Sequence, residues 1–235
     1  MSARPAGGAD GGGAVELLVL DVNGVLYRYD VDRRVSALAD RLDRSPDEVR
    51  AAVFDSGIED RADAGELDPD DYLRALGDEL GTELDRATWT AALAGAVTPN
   101  EPVLELLAGF AGTVAMATLS NNGLLVEEQV DSIYPRLREL GIAVHVAAEF
   151  GDSKPERDVY LDVCERHGVD PGRAAFVDDK ARNVEGAERA GLRAHRFEGV
   201  DGLRRFLGEL GLAAGGRRAG TEPTEPTPGP RRRSD

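Results

Sequence analysis

Short apolar runs alternate with longer amphipathic stretches along most of this chain. The run at 15–20 is too short and too rich in β-branched residues for a helix, so it predicts a strand buried on both faces. Similar runs at 114–119 and 174–177 predict two more strands, and shorter strands are expected at 143–147 and 192–196. Strands that alternate with helices predict an α/β fold with a doubly wound parallel sheet and right-handed crossovers.

The segment 31–97 interrupts this alternation, because its pattern is helical throughout. Apolar residues recur there at helical spacing, and capping signals at Ser45 and Asp68 begin two of the helices. The acidic, glycine-containing stretch 55–67 predicts a loop within the segment. Beyond it, a continuous helix is expected over 124–139.

The chain therefore divides into four parts. We expect a disordered leader over 1–13 and a disordered tail rich in Pro, Thr and Arg over 213–235, since neither has enough apolar residues to form a core. A Rossmann-like core is expected over 14–30 and 98–212, and an all-helical domain over 31–97 is inserted into it.

Composition excludes several classes of protein. The chain has 235 residues and a net charge of −16, which argues against binding to a nucleic-acid backbone. No apolar run approaches the roughly 20 residues that a membrane span needs, so no membrane partner is expected. The single cysteine, Cys164, excludes an intramolecular disulfide and favours a cytoplasmic location.

Four polar positions follow the predicted strands or precede the helices. They are Asp21, Ser120, Lys154 and the pair Asp178-Asp179. Each alone has an ordinary explanation as a turn, a helix cap or a surface charge. Because the carboxyl ends of parallel strands meet at one edge of a sheet, we expect the four to converge.

The chemistry of these side chains is mutually consistent. Asp21, Asp178 and Asp179 would repel one another unless a cation lay among them, and oxygen ligands of this kind select Mg²⁺. Ser120 can donate to phosphate oxygens, and Lys154 can stabilise the charge of a phosphoryl group in transfer. A carboxylate facing such a phosphate can act as a nucleophile.

This arrangement resembles the haloacid dehalogenase superfamily of hydrolases. The resemblance covers about 15–212 and is carried by four strings in order, Asp21–Leu26, Ser120-Asn121, Lys154-Pro155, and Val177-Asp178-Asp179 with Asn183. The helical segment 31–97 resembles the cap domain that follows the first motif in one subgroup. Within that subgroup, the string at 178–187 is most similar to bacterial sugar-phosphate phosphatases, including those acting on glucose 1-phosphate.

The resemblance implies a role for each matching residue. A small phosphorylated substrate, expected to be a sugar phosphate, would transfer its phosphoryl group to Asp21 and form an aspartyl phosphate. The implied magnesium ligands are Asp21, the main-chain carbonyl of Asn23, Asp179 and Asp178, the last as a ligand or as a support for the ligands. Ser120, Asn121 and Lys154 would hold the phosphoryl group.

Asn23 departs from the family pattern. Typical phosphatases of this family have a second aspartate at this position, which protonates the leaving group and later activates water. Some relatives, including the sugar-phosphatase subgroup, lack this acid, so its absence does not by itself imply inactivity. An amide cannot do so, and general acid–base catalysis typically contributes about 10²–10⁴-fold. The hypothesis from sequence is a preference for leaving groups that need no proton. A 2-haloacid dehalogenase, or a binding protein with reduced catalysis, are the alternatives.

The inserted segment is expected to select the substrate. It contains 17 acidic residues and 8 arginines, so it favours a neutral sugar monophosphate over a polyanion. Arg61, the one cation of the predicted loop, is a candidate for substrate contact. Tyr27 and Trp89 could stack on a ligand, although burial in the cap or core is the favoured interpretation. Cys164 and the three histidines are interpreted as structural, and the chain is expected to be a monomer or a homodimer.

Overall fold

A computed structural model describes residues 13–212. The expected leader, apart from Gly13, and the expected tail over 213–235 lie outside the described residues. The strands are β1 (Leu17–Leu20), β2 (Tyr27–Tyr29), β3 (Val97–Pro99), β4 (Ala115–Thr118), β5 (Ala174–Asp178) and β6 (Arg193–Arg196).

Helices fill the remainder of this range. They are α1 (Val31–Leu42), α2 (Pro46–Arg50), α3 (Ile58–Asp63), α4 (Pro69–Leu80), α5 (Arg86–Ala96), α6 (Glu101–Ala108), α7 (Leu124–Glu128), α8 (Val130–Ile133), α9 (Pro135–Glu139), α10 (Arg157–Arg166), α11 (Ala181–Ala190) and α12 (Val200–Glu209). A π-helical turn, Ala51–Asp55, continues α2, and 3₁₀ turns occur at Ala147–Glu149 and Pro171–Arg173. None of the helices within residues 13–212 combines the length and the apolar character that crossing a membrane requires.

The main sheet is parallel and has the order β4-β1-β5-β6. All residues of the central strand β1 are buried, as are those of β5, because apolar side chains cover both faces of the sheet. This confirms the predicted α/β fold with a parallel sheet. It also places the ends of β1, β4 and β5 side by side at one edge.

Strands β2 and β3 form a separate antiparallel ribbon. The helices α1–α5 all lie between these two strands in the sequence. Main-chain bonds tie the ribbon region together, from Asp30 N to Ala96 O at 2.9 Å and from Asn100 N to Leu26 O at 2.9 Å. The Asn100 side chain adds a bond to Val25 O at 2.9 Å. The two connections between the core and the helices α1–α5 therefore run side by side, as the paired strands β2 and β3.

The predicted helix starts in this segment form by the expected capping chemistry. Ser45 and Glu48 form a reciprocal capping box at the start of α2. The Asp68 carboxylate accepts a hydrogen bond from Asp71 N at 2.8 Å at the start of α4.

The prediction of a loop over 55–67 was wrong, because α3 lies within it. Gly57 adopts a φ of 77° and turns the chain into this helix. Ile58 and Ala62, four residues apart, are both buried and form its inner face. Of the acidic residues within α3, Asp60 is exposed, whereas Glu59 and Asp63 are partly buried.

Two further predicted elements are less regular than expected. The helix over 124–139 is broken into α7, α8 and α9, since Pro135 cannot donate a main-chain bond and begins a new helix. The segment 143–147, which was expected to be a strand, does not form a regular one. It makes two isolated β-bridges, between Ala117 and Ala143 and between Ser120 and Val146.

A core substitution tests whether the inserted helices contribute to global stability. Leu76 of α4 is fully buried, so Leu76→Ala should lower the free energy of unfolding by about 2–5 kcal/mol. Glu79→Ala, on the exposed face of the same helix, should change it by less than about 0.5 kcal/mol. Urea unfolding followed by circular dichroism measures both. Equal effects of the two variants would contradict this packing.

Candidate active site

The ends of three neighbouring strands position the candidate residues. Asp21 follows β1 directly, Asp178 is the last residue of β5, and Ser120 lies two residues beyond β4. Lys154 comes from the loop before α10 and reaches the same edge. Its Nζ donates to Asp21 Oδ1 at 2.6 Å and to Asp178 Oδ2 at 2.8 Å.

Lys154 is almost completely buried, with 2% of its surface exposed. Burial alone would lower the pKa of its ammonium group, but the charges of Asp21 and Asp178 outweigh this effect and raise the pKa. The lysine therefore carries a full positive charge at neutral pH. It is a fixed cation at the base of the site.

Asp178 is committed to holding this lysine. Its Oδ2 accepts from Lys154 and also from Asn183 Nδ2 at 2.9 Å, and its Oδ1 accepts from Lys180 N at 2.8 Å. Both carboxylate oxygens are thus engaged, and the residue is fully buried. This bonding fits a support for the ligands better than an open ligand.

Asp21 retains a carboxylate oxygen that is not bound to Lys154. Burial raises the pKa of Asp21 to about 6, the Lys154 charge opposes this rise, and the Asp178 charge adds to it. Asp21 also lines a cavity.

Asp179 is incompletely satisfied. Its Oδ1 is buried and has no hydrogen-bond partner, and burial together with the charge of Asp178 raises its pKa. Gly24, with a φ of 103°, packs directly against it, and a Cβ on Gly24 would lie 2.6 Å from Asp179 Oδ2. The chain therefore needs glycine here to keep the first-motif loop close to this carboxylate.

The carboxylates of Asp21, Asp178 and Asp179 form a candidate cation site. One ligand oxygen from each of Asp21, Asp178 and Asp179 lies within 4.8 Å of the others. Lys154 supplies one positive charge against three negative ones, so the cluster has an excess of negative charge. An unpartnered buried carboxylate oxygen in an all-oxygen donor set fits Mg²⁺.

The side-chain amide of Asn23 is engaged in a hydrogen bond. Its Oδ1 accepts a hydrogen bond from Tyr134 Oη at 3.2 Å. Burial raises the pKa of Tyr134, so this phenol remains a donor at ordinary pH. The position that holds an acid in related phosphatases is therefore a neutral, hydrogen-bonded amide here.

Asn121 has a structural use beside its place in the cavity wall. Its Oδ1 accepts from Lys154 N and its Nδ2 donates to Lys154 O, both at 2.9 Å. Both polar ends of the side chain therefore hold the loop that carries Lys154. Ser120, 3% exposed, lies beside it and is fixed by main-chain bonds to His145 O and from Ala147 N.

A cavity of about 220 Å³ lies above this cluster and is closed on the far side by α1, α3, α4 and α5. Arg34 of α1 is buried there and forms a bidentate pair with Glu59 at 2.6 and 3.0 Å. Tyr72 Oη donates to Glu59 Oε2 at 2.7 Å and accepts from Trp89 Nε1 at 3.2 Å. We call Arg34, Glu59, Tyr72 and Trp89 the cap network.

Arg61 is not brought to this cavity. It lies on the exposed face of α3, where its Nε approaches Glu66 at 3.4 Å. The arginine that lines the cavity is Arg34, which no motif of the sequence singles out. A signal was present, since Arg34 directly precedes Val35 within the buried stripe of α1. Charged residues inside an apolar stripe are candidates for such paired, buried sites.

The residues interpreted as structural are mostly buried. Tyr27 and Cys164 are each 1% exposed, and Trp89 is buried but contributes to the cavity wall. His145 lies 3.0 Å from His167 through their Nε2 atoms, away from the carboxylate cluster.

Removal of the central cation tests the electrostatics of the site. Lys154→Met leaves Asp21 and Asp178 buried without their partner, so the free energy of unfolding at neutral pH should fall by about 3–5 kcal/mol. Lys180→Met changes the other lysine of the chain, which is exposed, and should cost less than about 1 kcal/mol. Urea unfolding compares them, and a small loss in Lys154→Met would show that the carboxylates are not charged.

Comparison with known proteins agrees with this geometry. Residues 15–191 match the haloacid dehalogenase-like hydrolase family. A flavin mononucleotide hydrolase from Arabidopsis thaliana is 37% identical over 62 residues, which are 26% of this chain and 25% of that protein. The chain thus spans about a quarter of that relative's length.

Other relatives match over more of their length. A D-ribitol-5-phosphate phosphatase from Bacteroides thetaiotaomicron is 22% identical over 78% of this chain and 92% of its own length. A haloacid dehalogenase family enzyme from the same organism, crystallised with magnesium and inorganic phosphate, has the same fold, with a TM-score of 0.61 and 18% identity over 77% of this chain and 93% of that one. The extent of the family match, over most of the described residues, shows that this chain belongs to the haloacid dehalogenase-like hydrolases.

Proposed function

We propose that this chain is a Mg²⁺-dependent phosphomonoester hydrolase that acts on a small phosphorylated metabolite through an aspartyl phosphate on Asp21. The observation that carries the proposal is the contact of Lys154 with Asp21 and Asp178 at the base of a cavity. It is supported by two relatives named as hydrolases of phosphate esters and by a fold neighbour crystallised with magnesium and phosphate.

Each residue of the cluster has a distinct task in this proposal. The free oxygen of Asp21 attacks phosphorus, while Lys154 and Ser120 hold the phosphoryl oxygens. Asp21, Asp179 and the main-chain carbonyl of Asn23 would hold Mg²⁺, and Asp178 keeps Lys154 in place. When bound, the ion supplies positive charge that offsets the repulsion between carboxylates and phosphate.

The phosphoryl group and the carboxylate cluster are both negatively charged and repel each other. A buried lysine offsets this repulsion. A dianionic phosphate cannot approach three carboxylates without compensation. Lys154 provides it permanently, because its contacts with Asp21 and Asp178 are formed in the protein itself. Asn121 prevents the lysine loop from moving away, through its paired bonds to the Lys154 main chain.

The inserted helices, which we assign to a cap domain over 31–97, favour a small polar substrate. Glu59 neutralises Arg34, so the cap network adds no free positive charge for a second phosphate. Tyr29, Tyr72 and Trp89 offer polar edges and aromatic faces at the cavity wall. A cavity of about 220 Å³ suits a sugar or polyol monophosphate, which is the substrate class that we assign.

The cysteine supports a cytoplasmic location for this activity. Cys164 is buried, and burial raises the pKa of its thiol to about 11. A chain without a disulfide framework is typical of reducing compartments.

Turnover with and without magnesium tests the proposed function. Purified protein should release phosphate from sugar and polyol monophosphates with Mg²⁺ and lose this activity when the ion is chelated. Asp21→Asn should lower turnover by at least about 10³-fold, because the amide cannot become an acyl phosphate. The matched control is Asp131→Asn, which makes the same substitution at an exposed residue of α8.

Three outcomes would contradict the proposal. Full activity of Asp21→Asn would remove the nucleophile from the mechanism. Metal-independent release of halide from 2-haloacids, without phosphate release, would identify the dehalogenase alternative. Binding of phosphorylated compounds without any turnover would identify a protein with reduced catalysis.

A further inference from the structure

The amide at Asn23 leaves the first motif of the proposed reaction without a carboxylic acid that could protonate the leaving group. Two carboxyl groups line the cavity outside the carboxylate cluster, those of Glu59 and Asp63. Glu59 is committed, since both of its oxygens bind Arg34 and one also accepts from Tyr72. Asp63, at the end of α3, has no such bidentate partner among the described residues.

Asp63 is held close to the phosphate-binding side of the cavity. Helix α3 packs against the loop that follows Ser120, and a Cβ on Gly123 would lie 3.1 Å from Ala62 O. On its other side, a Cβ on Gly65 would lie 2.6 Å from Ala148 O. Glycine at both positions lets the main chain of α3 contact the core directly, so the placement of Asp63 is fixed by backbone packing.

The direction of the reaction also points to this helix. Asp21 lies on the core side of the cavity, and phosphoryl transfer proceeds with the attacking and leaving oxygens roughly in line. A leaving group displaced by Asp21 therefore departs away from β1, toward the cap side. Asp63 lines the cavity from that side, on the helix that covers the Ser120 loop.

The surroundings of Asp63 favour its neutral form. The charged and titratable groups that face it are Glu59 and Asp60 on its own helix, Arg34 on α1 and Tyr29 on β2, while Gly123 contributes a main-chain N–H. Burial and the Glu59 charge raise the pKa of Asp63 to about 8, and Arg34, paired with Glu59, opposes this only partly. At neutral pH the side chain is a carboxylic acid that can donate a proton.

We propose that Asp63 is the general acid and base of the proposed phosphatase, in place of the acid that Asn23 lacks. The inference rests on the proposed function. When an oxygen of Asp21 bonds to phosphorus, the bond from phosphorus to the ester oxygen breaks and its electron pair stays on that oxygen. The Asp63 carboxyl gives its proton to the same oxygen, and the alcohol leaves.

The second half of the reaction restores both residues. Water bonds to the phosphorus of the aspartyl phosphate, and the bond from phosphorus to Asp21 breaks with its electron pair returning to the carboxylate. Asp63, now a carboxylate, takes the proton that water loses. The sum is ester plus water giving alcohol plus phosphate, and Asp63 ends as the acid it was.

This assignment changes the expectation drawn from Asn23 alone. A chain without any acid at the site would be restricted to leaving groups that are stable without a proton. With Asp63 on the cap, ordinary alkyl phosphates become substrates. In this proposal the proton comes from Asp63 in the cap domain, which also contacts the substrate.

Leaving-group dependence tests the proposal. Asp63→Asn should lower kcat/KM for a polyol monophosphate by about 10²-fold or more, because the alkoxide leaves without a proton. For p-nitrophenyl phosphate, whose leaving group is stable as an anion, the loss should stay below about tenfold. The parameter kcat/KM is chosen because it covers the steps up to cleavage of the ester. Asp60→Asn, an exposed acid on the same helix, should change neither value by more than about twofold.

The outcomes separate this inference from the proposed function. Equal losses of kcat/KM for both esters in Asp63→Asn would make Asp63 a positioning residue and overturn the inference. Wild-type protein that cleaves the nitrophenyl ester alone would overturn it together with the assigned substrate class, while phosphomonoester hydrolysis through Asp21 would stand. Wild-type protein that cleaves neither ester with Mg²⁺ would overturn both.

A second measurement does not depend on turnover. Because the pKa of Asp63 is raised by folding, the folded protein binds a proton that the unfolded chain has lost, so its contribution to stability declines as pH rises from about 4 to about 8. Asp63→Asn is neutral at every pH. Its melting temperature should therefore match wild type near pH 4, exceed it increasingly as the pH rises to about 8, and keep that excess at higher pH, whereas Asp60→Asn should show no such trend. A difference from wild type that does not vary with pH would overturn the proposal, since Asp63 would then be ionised at neutral pH.

Discussion

The contacts between the Lys154 ammonium group and the carboxylates of Asp21 and Asp178 are the interaction on which the candidate site depends. They join a loop to the ends of two adjacent strands, and Asn121 attaches the same loop to the region after β4. Removing the cation would leave two buried carboxylates unpaired, which is far more costly than losing a surface ion pair. The contacts of Lys154 that balance the buried charge therefore also hold the ends of β1 and β5 together with the lysine loop.

The inserted helices add what the core lacks. The core supplies a nucleophile candidate, a fixed cation and a cation site, but its first-motif loop carries an amide where an acid would be useful. The insert lines the far side of the cavity, adds aromatic and polar walls through the cap network, and brings the carboxyl group of Asp63, whose pKa burial raises to about 8. Both crossings between the two parts run through the β2–β3 ribbon, so the position of α3 depends on that ribbon and on the close backbone contacts at Gly65 and Gly123.

The errors of the sequence analysis share a physical origin. The stretch 55–67 was interpreted as a loop because its charges are conspicuous, although Ile58 and Ala62 supply the buried face of α3. Arg61 is conspicuous because it is the one cation of that stretch, whereas Arg34 is one of several arginines in α1 and lies on its buried face. Local composition reports the charge of a residue, whereas the rotation of its helix determines whether that charge faces solvent or the cavity.

Some features of this protein were determined by the sequence alone, because they depend on local periodicity and strand order. The buried strands, the parallel α/β fold and the strand-end positions of Asp21 and Asp178 follow from apolar runs and from the rule that parallel strands present their carboxyl ends at one edge. Family membership follows from the order of short motifs. Only the tertiary structure decided that Asn121 holds the Lys154 loop, that Arg34 and Glu59 neutralise each other, and that Asp63 faces the cavity. These three features depend on contacts between residues that are distant in sequence. They also depend on burial, which shifts the pKa of a carboxyl group and cannot be read from the residue type alone.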